Sequence, residues 1–422
     1  MINIDQQERK AGVTQMGLLD KYSARTRDFN SGEEWRKTHF FQNVTSKNVS
    51  SGLISSTLIM TGPAIIILEA AASGGFTAHQ TINWMFAVYF FGGLFGIVMP
   101  LLCRIPVTGG HSITGVAFLA TVTSQFTYPQ LIGGYVMSGL FIFLIGISGL
   151  FTKIIKWVPK EVIAAMLAGL VTSYVVRLVP SVKEIPLVGG AALISFFIST
   201  KYSRRFPPVM VAVVVAFLVL FWTQDLNIIS KELAFSFPSL QTPEFTWIGL
   251  LTLALPLSML ILSNDAAPGI GALESSHFEP PIRKIISVSG VFSIMAAFFG
   301  GQSANIAGMM TTICAGQDSG PKSKRYVASL VSGFITLLFG IFAWKIVPFI
   351  QSLPQAFVSL LAGFALIGSL QSSLQIGFSG NKYQLSALAA FIIALSNVSF
   401  LHISAPVWAL IFGAVIARTL EK

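Results

Sequence analysis

Two stretches decide the fold: Arg104-Ile105-Pro106-Val107-Thr108-Gly109-Gly110-His111-Ser112 and Phe299-Gly300-Gly301-Gln302-Ser303. Each lies between apolar runs, begins extended, and is expected to become helical after its glycine pair, over about 104–123 and 300–315. A helix that begins in mid-membrane leaves its first N–H groups unpaired and presents the positive end of its dipole. In lipid such an end survives only where it lines a protein cavity, and there it suits an anion or a carbonyl oxygen. Two of them, starting near Gly110 and Gly301, make an anion site, with Ser112 and Ser303 able to cap the helix or bind ligand. The same glycines could serve only close helix packing, as small residues do in membranes.

Working outward, the rest of the chain alternates long apolar runs with short polar ones. Spans are expected at roughly 49–72, 79–102, 128–152, 158–178, 184–200, 207–223, 247–271, 283–299, 324–348, 354–377, 383–398 and 403–420. Runs of about 20 apolar residues match a hydrocarbon core roughly 30 Å thick. They are too long for barrel strands, so the class is all-α and polytopic. The composition agrees: 53% apolar and 10% charged residues, with a mean hydropathy of +0.73.

With the two short segments the count is fourteen. Lysine and arginine positions test it. If the N-terminus is cytoplasmic and all fourteen segments cross, inside loops hold fourteen Lys/Arg, and eight more lie in the first 48 residues. Outside ends hold only Arg177, Lys183, Lys231 and Lys345, and Arg104 snorkels inward from the third segment. This is the positive-inside bias. It accounts for the net charge of +10 without nucleic acid, and it places both termini in the cytoplasm of a cell (inner) membrane protein. Residues 1–46 read as a polar cytoplasmic tail, with an interfacial helix or a disordered segment around 33–41. No apolar run opens the chain, so no cleaved signal peptide is expected.

An internal repeat relates 47–223 to 247–422, with 224–246 an extracellular linker. Gly109-Gly110-His111-Ser112 matches Gly300-Gly301-Gln302-Ser303 at an offset of 191, and Leu68-Glu69-Ala70-Ala71 resembles Asn264-Asp265-Ala266-Ala267 at 196. Pro159 and Ala168-Gly169 match Pro354 and Ala362-Gly363 at 195 and 194. Seven spans per repeat is odd, so the second half is inverted, the architecture of secondary transporters.

Ionisable groups inside spans are functional candidates. Asp265 is the deepest, one turn before a break expected at Pro268-Gly269, and a carboxyl group away from water can exchange a proton near neutral pH. Its repeat mate Glu69 sits nearer the outer end and reads as interfacial, or as a second proton site. His111 opens a broken helix with a titratable ring, or is a hydrogen-bonded structural residue. Cys103 and Cys314 imply no disulfide framework. The sequons at Asn43, Asn48 and Asn397 are expected by chance. No Walker motif, metal-ligand cluster or nucleophile elbow occurs, so neither an enzyme nor a metal or organic cofactor is expected; the driving force would be a proton gradient.

The run Pro106 to Ser112 resembles the benzoate:proton symporter (BenE) family. So do Val158-Pro159 through Ala164–Gly169, Ala267-Pro268-Gly269, Asn305-Ile306-Ala307 to Ile313–Gly316, and Arg325-Tyr326. The resemblance covers about 48–420. It implies a fold similar to uracil permease and the anion exchangers: spans 1–4 and 8–11 as core, spans 5–7 and 12–14 as gate, and frequently a homodimer. Substrate would sit between the broken third and tenth spans and spans one and eight. Three positions depart from the family: His111 where Trp is common, Thr114 where Pro is, and Asp265 where Gln is. A carboxylate at that last place is similar to the nucleobase:proton symporters.

The expectation is therefore a proton-coupled symporter for a small planar organic acid, benzoate-like. Its substrate would be held by Gly110, His111, Ser112, Asn264, Asp265, Gly301, Gln302 and Ser303, and Asp265, Glu69 and His111 are the coupling candidates. A nucleobase or other heterocycle symporter, and an uncoupled anion channel or exchanger, are the alternatives. The expected partners are the substrate and the lipid bilayer.

Overall fold

The computed structural model describes residues 40–151, 159–202, 207–223, 238–396, 398, 400 and 405–421. Nearly all of the interfacial helix expected over 33–41, most of the 224–246 linker and the sequon at Asn397 fall outside the described residues. A short 3-10 turn, Phe40–Asn43, precedes in sequence the helical unit that begins at Ser46.

That body consists of α1 (Ser46–Thr61), α2 (Pro63–Ser73), α3 (Ala78–Cys103), β1 (Gly109–Gly110), α4 (Ile113–Val122), α5 (Tyr128–Ser148), α6 (Lys160–Val176), α7 (Leu178–Glu184), α8 (Pro186–Tyr202) and α9 (Pro208–Thr223). The second half holds α10 (Trp247–Ser275), α11 (Ile282–Ala297), β2 (Asn305–Ile306), α12 (Gly308–Ala315), α13 (Tyr326–Ile341), α14 (Ala343–Gln351), α15 (Gln355–Phe378), α16 (Gln384–Ser396) and α17 (Ala405–Thr419). Among the described residues, seven helices (or pairs in line) are long and apolar enough to cross a bilayer by length and composition alone. Shorter apolar helices lie at Ile113–Gln125, Pro208–Thr223, Gln384–Ser396 and Ala405–Thr419.

The helices sort into two packing sets. In one, α3 packs on α13, α5 on α11, α1 on α13, α2 on α4, and the end of α10 on α12. In the other, α6 packs on α15 and α16, α8 on α9, and α16 on α17. Contact between the sets is thinner, mainly α2 with α15, α4 with α6 and α1 with α9. Small residues set the closest approaches: a Cβ on Gly93 would lie 2.4 Å from the Leu337 nitrogen, and one on Gly290 would lie 2.4 Å from the Phe143 nitrogen. Interfaces of this kind suit helices in lipid, where backbone proximity and dispersion replace a hydrophobic drive.

Three sequence expectations need correction. First, the expected first span runs as Ser46–Ser73 but is interrupted locally at Gly62-Pro63, because proline has no N–H to continue the ladder. Second, α10 does not break at Pro268-Gly269. It widens into π-helical turns at Leu250–Ala254 and Ile261–Ala266, and the second turn carries Asp265. A wider turn just ahead of Pro268 lets the helix continue past a residue without an N–H.

The third correction concerns the tenth segment. Its helix begins at Gly308, not after Gly300-Gly301. The glycine pair instead closes α11: the Gly301 N–H bonds the Ala296 carbonyl and the Gly300 N–H bonds the Ala297 carbonyl, each at 2.9 Å. Gly300 takes a φ of +93°, which an L side chain rarely adopts. The helix starts at Ile113 and Gly308 are 195 residues apart, in line with the other repeat offsets; the 191-residue match aligned a helix end with a helix start.

Candidate functional site

The site is built where the two extended stretches cross. β1 and β2 pair antiparallel, Gly109 with Ile306 and Gly110 with Asn305, so α4 and α12 run off from the crossing in opposite directions. Gly109 has no room for a side chain, since a Cβ would meet the Gly92 carbonyl oxygen at 2.1 Å, whereas one on Gly110 would meet Ile59 Cδ1, the end of a flexible side chain, at 2.2 Å. The packing reading of Gly109 is therefore satisfied. Gly301 behaves alike, 2.8 Å from the Ala87 Cβ.

Ser112 is the hub. Its backbone N–H donates to Ser303 Oγ at 3.0 Å, and its carbonyl accepts from Gln302 Nε2 at 3.3 Å and from the Val116 N–H at 3.1 Å. Its hydroxyl oxygen accepts from the Gly115 N–H at 3.0 Å, making Ser112 the N-cap of α4, and lies 3.2 Å from Thr114 Oγ1. The same hydroxyl interacts with the Asp265 carboxyl group. Asp265 is buried, and its Oδ2 has no hydrogen-bond partner among the described residues. The Gln302 amide is turned by Trp84, whose indole Nε1–H can only donate and does so to Gln302 Oε1 at 2.6 Å.

The two helix starts differ in what they leave free. In α4 the first-turn N–H of Gly115 is capped, and Ile113 and Thr114 keep theirs. In α12 the N-cap is Ala307, which has no side-chain acceptor, so the N–H groups of Gly308, Met309 and Met310 have no acceptor among the described residues. A Cβ on Gly308 would stand 3.1 Å from the Asp265 carbonyl oxygen, so this donor set adjoins the turn that carries the carboxylate. Asn305 Oδ1 is buried there without a partner as well.

Of the residues expected from sequence, Ser112, Asp265, Gln302 and Ser303 come together, and Gly110 lies in the strand crossing. Gln302 and Ser303 brace α4 rather than open a helix of their own. Asn264 is half-buried and bonds the neighbouring Ser263 hydroxyl at 3.1 Å. His111 packs against an aromatic ring instead of joining the Ser112 bonds. Its ring stands edge-on to Tyr89, centroids 4.9 Å apart, with neither nitrogen bonded among the described residues. Glu69 is elsewhere, in an ion pair with Arg177 at the α6–α7 junction. Sequence reasoning missed Trp84 and the Gly308–Met310 amides, and marked Thr114 only as a departure from the family. A lone indole donor in an apolar span was the available sign for Trp84; nothing local marked the amides.

Among known proteins, residues 42–419 match the family described as BenE, benzoate membrane transport protein. The chain is 30% identical over 365 residues to the Benzoate membrane transport protein of Acinetobacter baylyi, covering 86% of this chain and 92% of that one. It is 27% identical over 368 residues to the Inner membrane protein YdcO of Escherichia coli, covering 86% and 93%. In fold it is similar to the transmembrane domain of the cyanobacterial bicarbonate transporter BicA, with a TM-score of 0.56 at 16% identity over 90% of this chain and 99% of that one. It is also similar to SLC26A9, with a TM-score of 0.62 at 13% identity over 94% and 69%. These solved structures supply the fold likeness. The chain belongs to the benzoate membrane transport (BenE) family and is a multi-pass membrane transporter, not an enzyme.

Proposed function

We propose that the protein is a proton-coupled symporter for a small planar organic acid of the benzoate type. The observation that carries this reading is the set of uncommitted N–H groups at the starts of α4 and α12, next to a buried carboxyl group with a free oxygen. Helix N-termini favour an anionic oxygen. A carboxylic acid substrate would place its carboxylate on the Gly308–Met310 and Ile113–Thr114 amides, and Asp265 would carry the coupled proton. A proton on Asp265 removes the charge that would otherwise repel the substrate, so proton and anion would enter together. Fourteen crossings with cytoplasmic termini, a core of spans 1–4 and 8–11 and a gate of spans 5–7 and 12–14 complete the reading; the two packing sets and the Lys/Arg bias support it. A homodimer in the inner membrane is part of the same proposal.

A second reading is an uncoupled anion channel or exchanger. What favours it is fold likeness to proteins titled a bicarbonate transporter and an anion transporter. Uptake of labelled benzoate into proteoliposomes, with and without an imposed pH gradient, separates the two. Accumulation above equilibrium only with the gradient is expected; gradient-independent equilibration would favour the second reading. Thermal-shift titration with benzoate against uracil tests substrate class, and stabilisation by uracil alone would move the assignment to heterocycles.

A further inference from the structure

Asp265 and Glu69 are the buried carboxyl groups among the described residues, and only Asp265 belongs to the site. Glu69 lies on α2, where its Oε1 accepts from Arg177 Nη1 and its Oε2 is buried without a partner among the described residues. α2 belongs to the first packing set, and α6, which Arg177 closes, belongs to the second. The ion pair therefore crosses the boundary between the two sets.

Each partner is held by its own set. The Glu69 carbonyl accepts from the Ser73 hydroxyl at 2.9 Å, and the neighbouring Ala70 carbonyl accepts from the Thr123 hydroxyl at 3.3 Å. Arg177 joins α6 to α7: its carbonyl accepts from the Ser181 N–H at 3.1 Å and from the Ser181 hydroxyl at 2.8 Å, and its guanidinium lies 5.8 Å from the Tyr174 ring centroid. On the proposed topology Arg177 is one of few cations at the outer ends, where the charge bias disfavours it. A buried ion pair repays its loss of water only when every lone pair is also bonded. Here one carboxylate oxygen has no bond and the Arg177 side chain is 58% exposed. If the sets part, water reaches both groups, so this pair is built to open as well as to close.

We propose that Glu69 and Arg177 form a latch that ties the outer ends of the two packing sets in this conformation and releases when the sets move during transport. The latch rests on the core and gate division of the proposed function, and not on the substrate or on Asp265 as the proton site. Loss of the latch changes how fast substrate is moved. How far substrate is concentrated stays with the coupled proton.

The test is the rate at which a charged, membrane-impermeant methanethiosulfonate, added outside intact cells, labels Ala365→Cys in a Cys103→Ser, Cys314→Ala background. Ala365, on α15, is half-buried and faces Gly62 across the boundary: a Cβ on Gly62 would lie 2.4 Å from its own. The thiolate is the reactive form and needs water, so labelling reports parting of the sets on the outer side. Adding Glu69→Gln or Arg177→Gln should raise the rate at least about threefold, and adding both should raise it no further, as for one shared interaction. Arg177→Lys keeps the charge and should label near the starting rate. If a neutral variant fails to reach the membrane, Glu69→Asp should give a smaller rise in the same direction. Unchanged rates in these variants would overturn the latch and leave the pair a fixed part of the packing. In proteoliposomes the neutral variants should reach the wild-type benzoate plateau under a pH gradient at an altered initial rate. A wild type that takes up no benzoate would remove the functional reading, and the labelling rates would still decide the latch.

Discussion

The starts of α4 and α12 are related by the repeat yet built to opposite ends. α4 is capped by Ser112, whose backbone N–H is also taken by Ser303 and whose carbonyl is taken by Gln302. α12 begins after Ala307 with nothing from a side chain to cap it. A cap satisfies first-turn amides permanently; an uncapped, buried start holds them for something that comes and goes. On the proposed reading α4 divides its start between structure and ligand, with Gly115 capped and the Ile113 and Thr114 amides open, while α12 keeps all three first-turn amides for ligand.

The sharpest way to break this comparison is at the carboxylate that sits between the two starts. Asp265→Asn should abolish gradient-driven accumulation while preserving counterflow in the same proteoliposomes, since exchange needs no net proton movement. Glu69→Gln, tied to Arg177 and away from the crossing, should leave gradient-driven accumulation largely in place. Full accumulation by Asp265→Asn would send the proton elsewhere.

Moving the cap comes next in size. Ala307→Ser gives α12 the acceptor it lacks. It should raise stability by about 1 kcal/mol and weaken benzoate binding several-fold, read by thermal shift with and without benzoate. Ser112→Ala should do the reverse at the other start, costing about 1 kcal/mol and disturbing the group beside Asp265. If both changes act on stability alone, the division of roles is wrong.

Trp84→Phe keeps the ring and removes the donor, leaving the buried Gln302 oxygen unpaired at about 1–3 kcal/mol. Released from the indole, the amide is free to rotate away from the Ser112 carbonyl, so α4 loses its brace. Slower uptake with a lowered melting temperature is expected. An unchanged melting temperature would mean the indole bond does not hold the amide.

The smallest effect is expected at a third kind of helix start. Glu421 caps α16 from the chain's end, accepting from the Leu385 and Ser386 N–H groups at 2.8 and 3.0 Å and from the Ser386 hydroxyl. Slight burial pushes its carboxyl group up, but the bonds from Ser386 and Leu385 outweigh this and hold it below the ordinary carboxylate range. A lowered folded-state value means the cap stabilises above the usual carboxylate pKa and fades as pH falls through that lowered value. Being exposed, it is worth no more than about 0.5 kcal/mol. Glu421→Gln should cost no more than that at neutral pH and nothing once acid has protonated the carboxyl group, measured as melting temperature against pH in detergent.

Much of this was legible along the chain. Long apolar runs, the Lys/Arg bias and the two extended breaks are local and compositional, so the helical, multi-pass, broken-helix class could be read directly. Asp265 was legible because an acid in an apolar span stands out. The start of α12 was not. Gly300-Gly301 carries the same letters whether it ends one helix or begins another, and only the bonds back to Ala296 and Ala297 distinguish the two. His111 was grouped with Ser112 because they are adjacent, yet what the packed chain sets beside its ring is Tyr89.

What the sequence determined by itself was the solvent each segment must live in, because transfer between water and lipid depends on side-chain chemistry summed over a run of residues. What the tertiary structure decided was which polar groups remain uncommitted once the chain is packed. Ser112 is spent on α4, Gln302 on Ser112, Trp84 on Gln302, and one oxygen of Glu69 on Arg177, while the Ile113–Thr114 and Gly308–Met310 amides, one oxygen of Asp265 and both His111 nitrogens are among the groups left over within the described residues. A hydrogen bond between residues about 190 apart in the chain depends on how two helices meet, and no local pattern records that meeting.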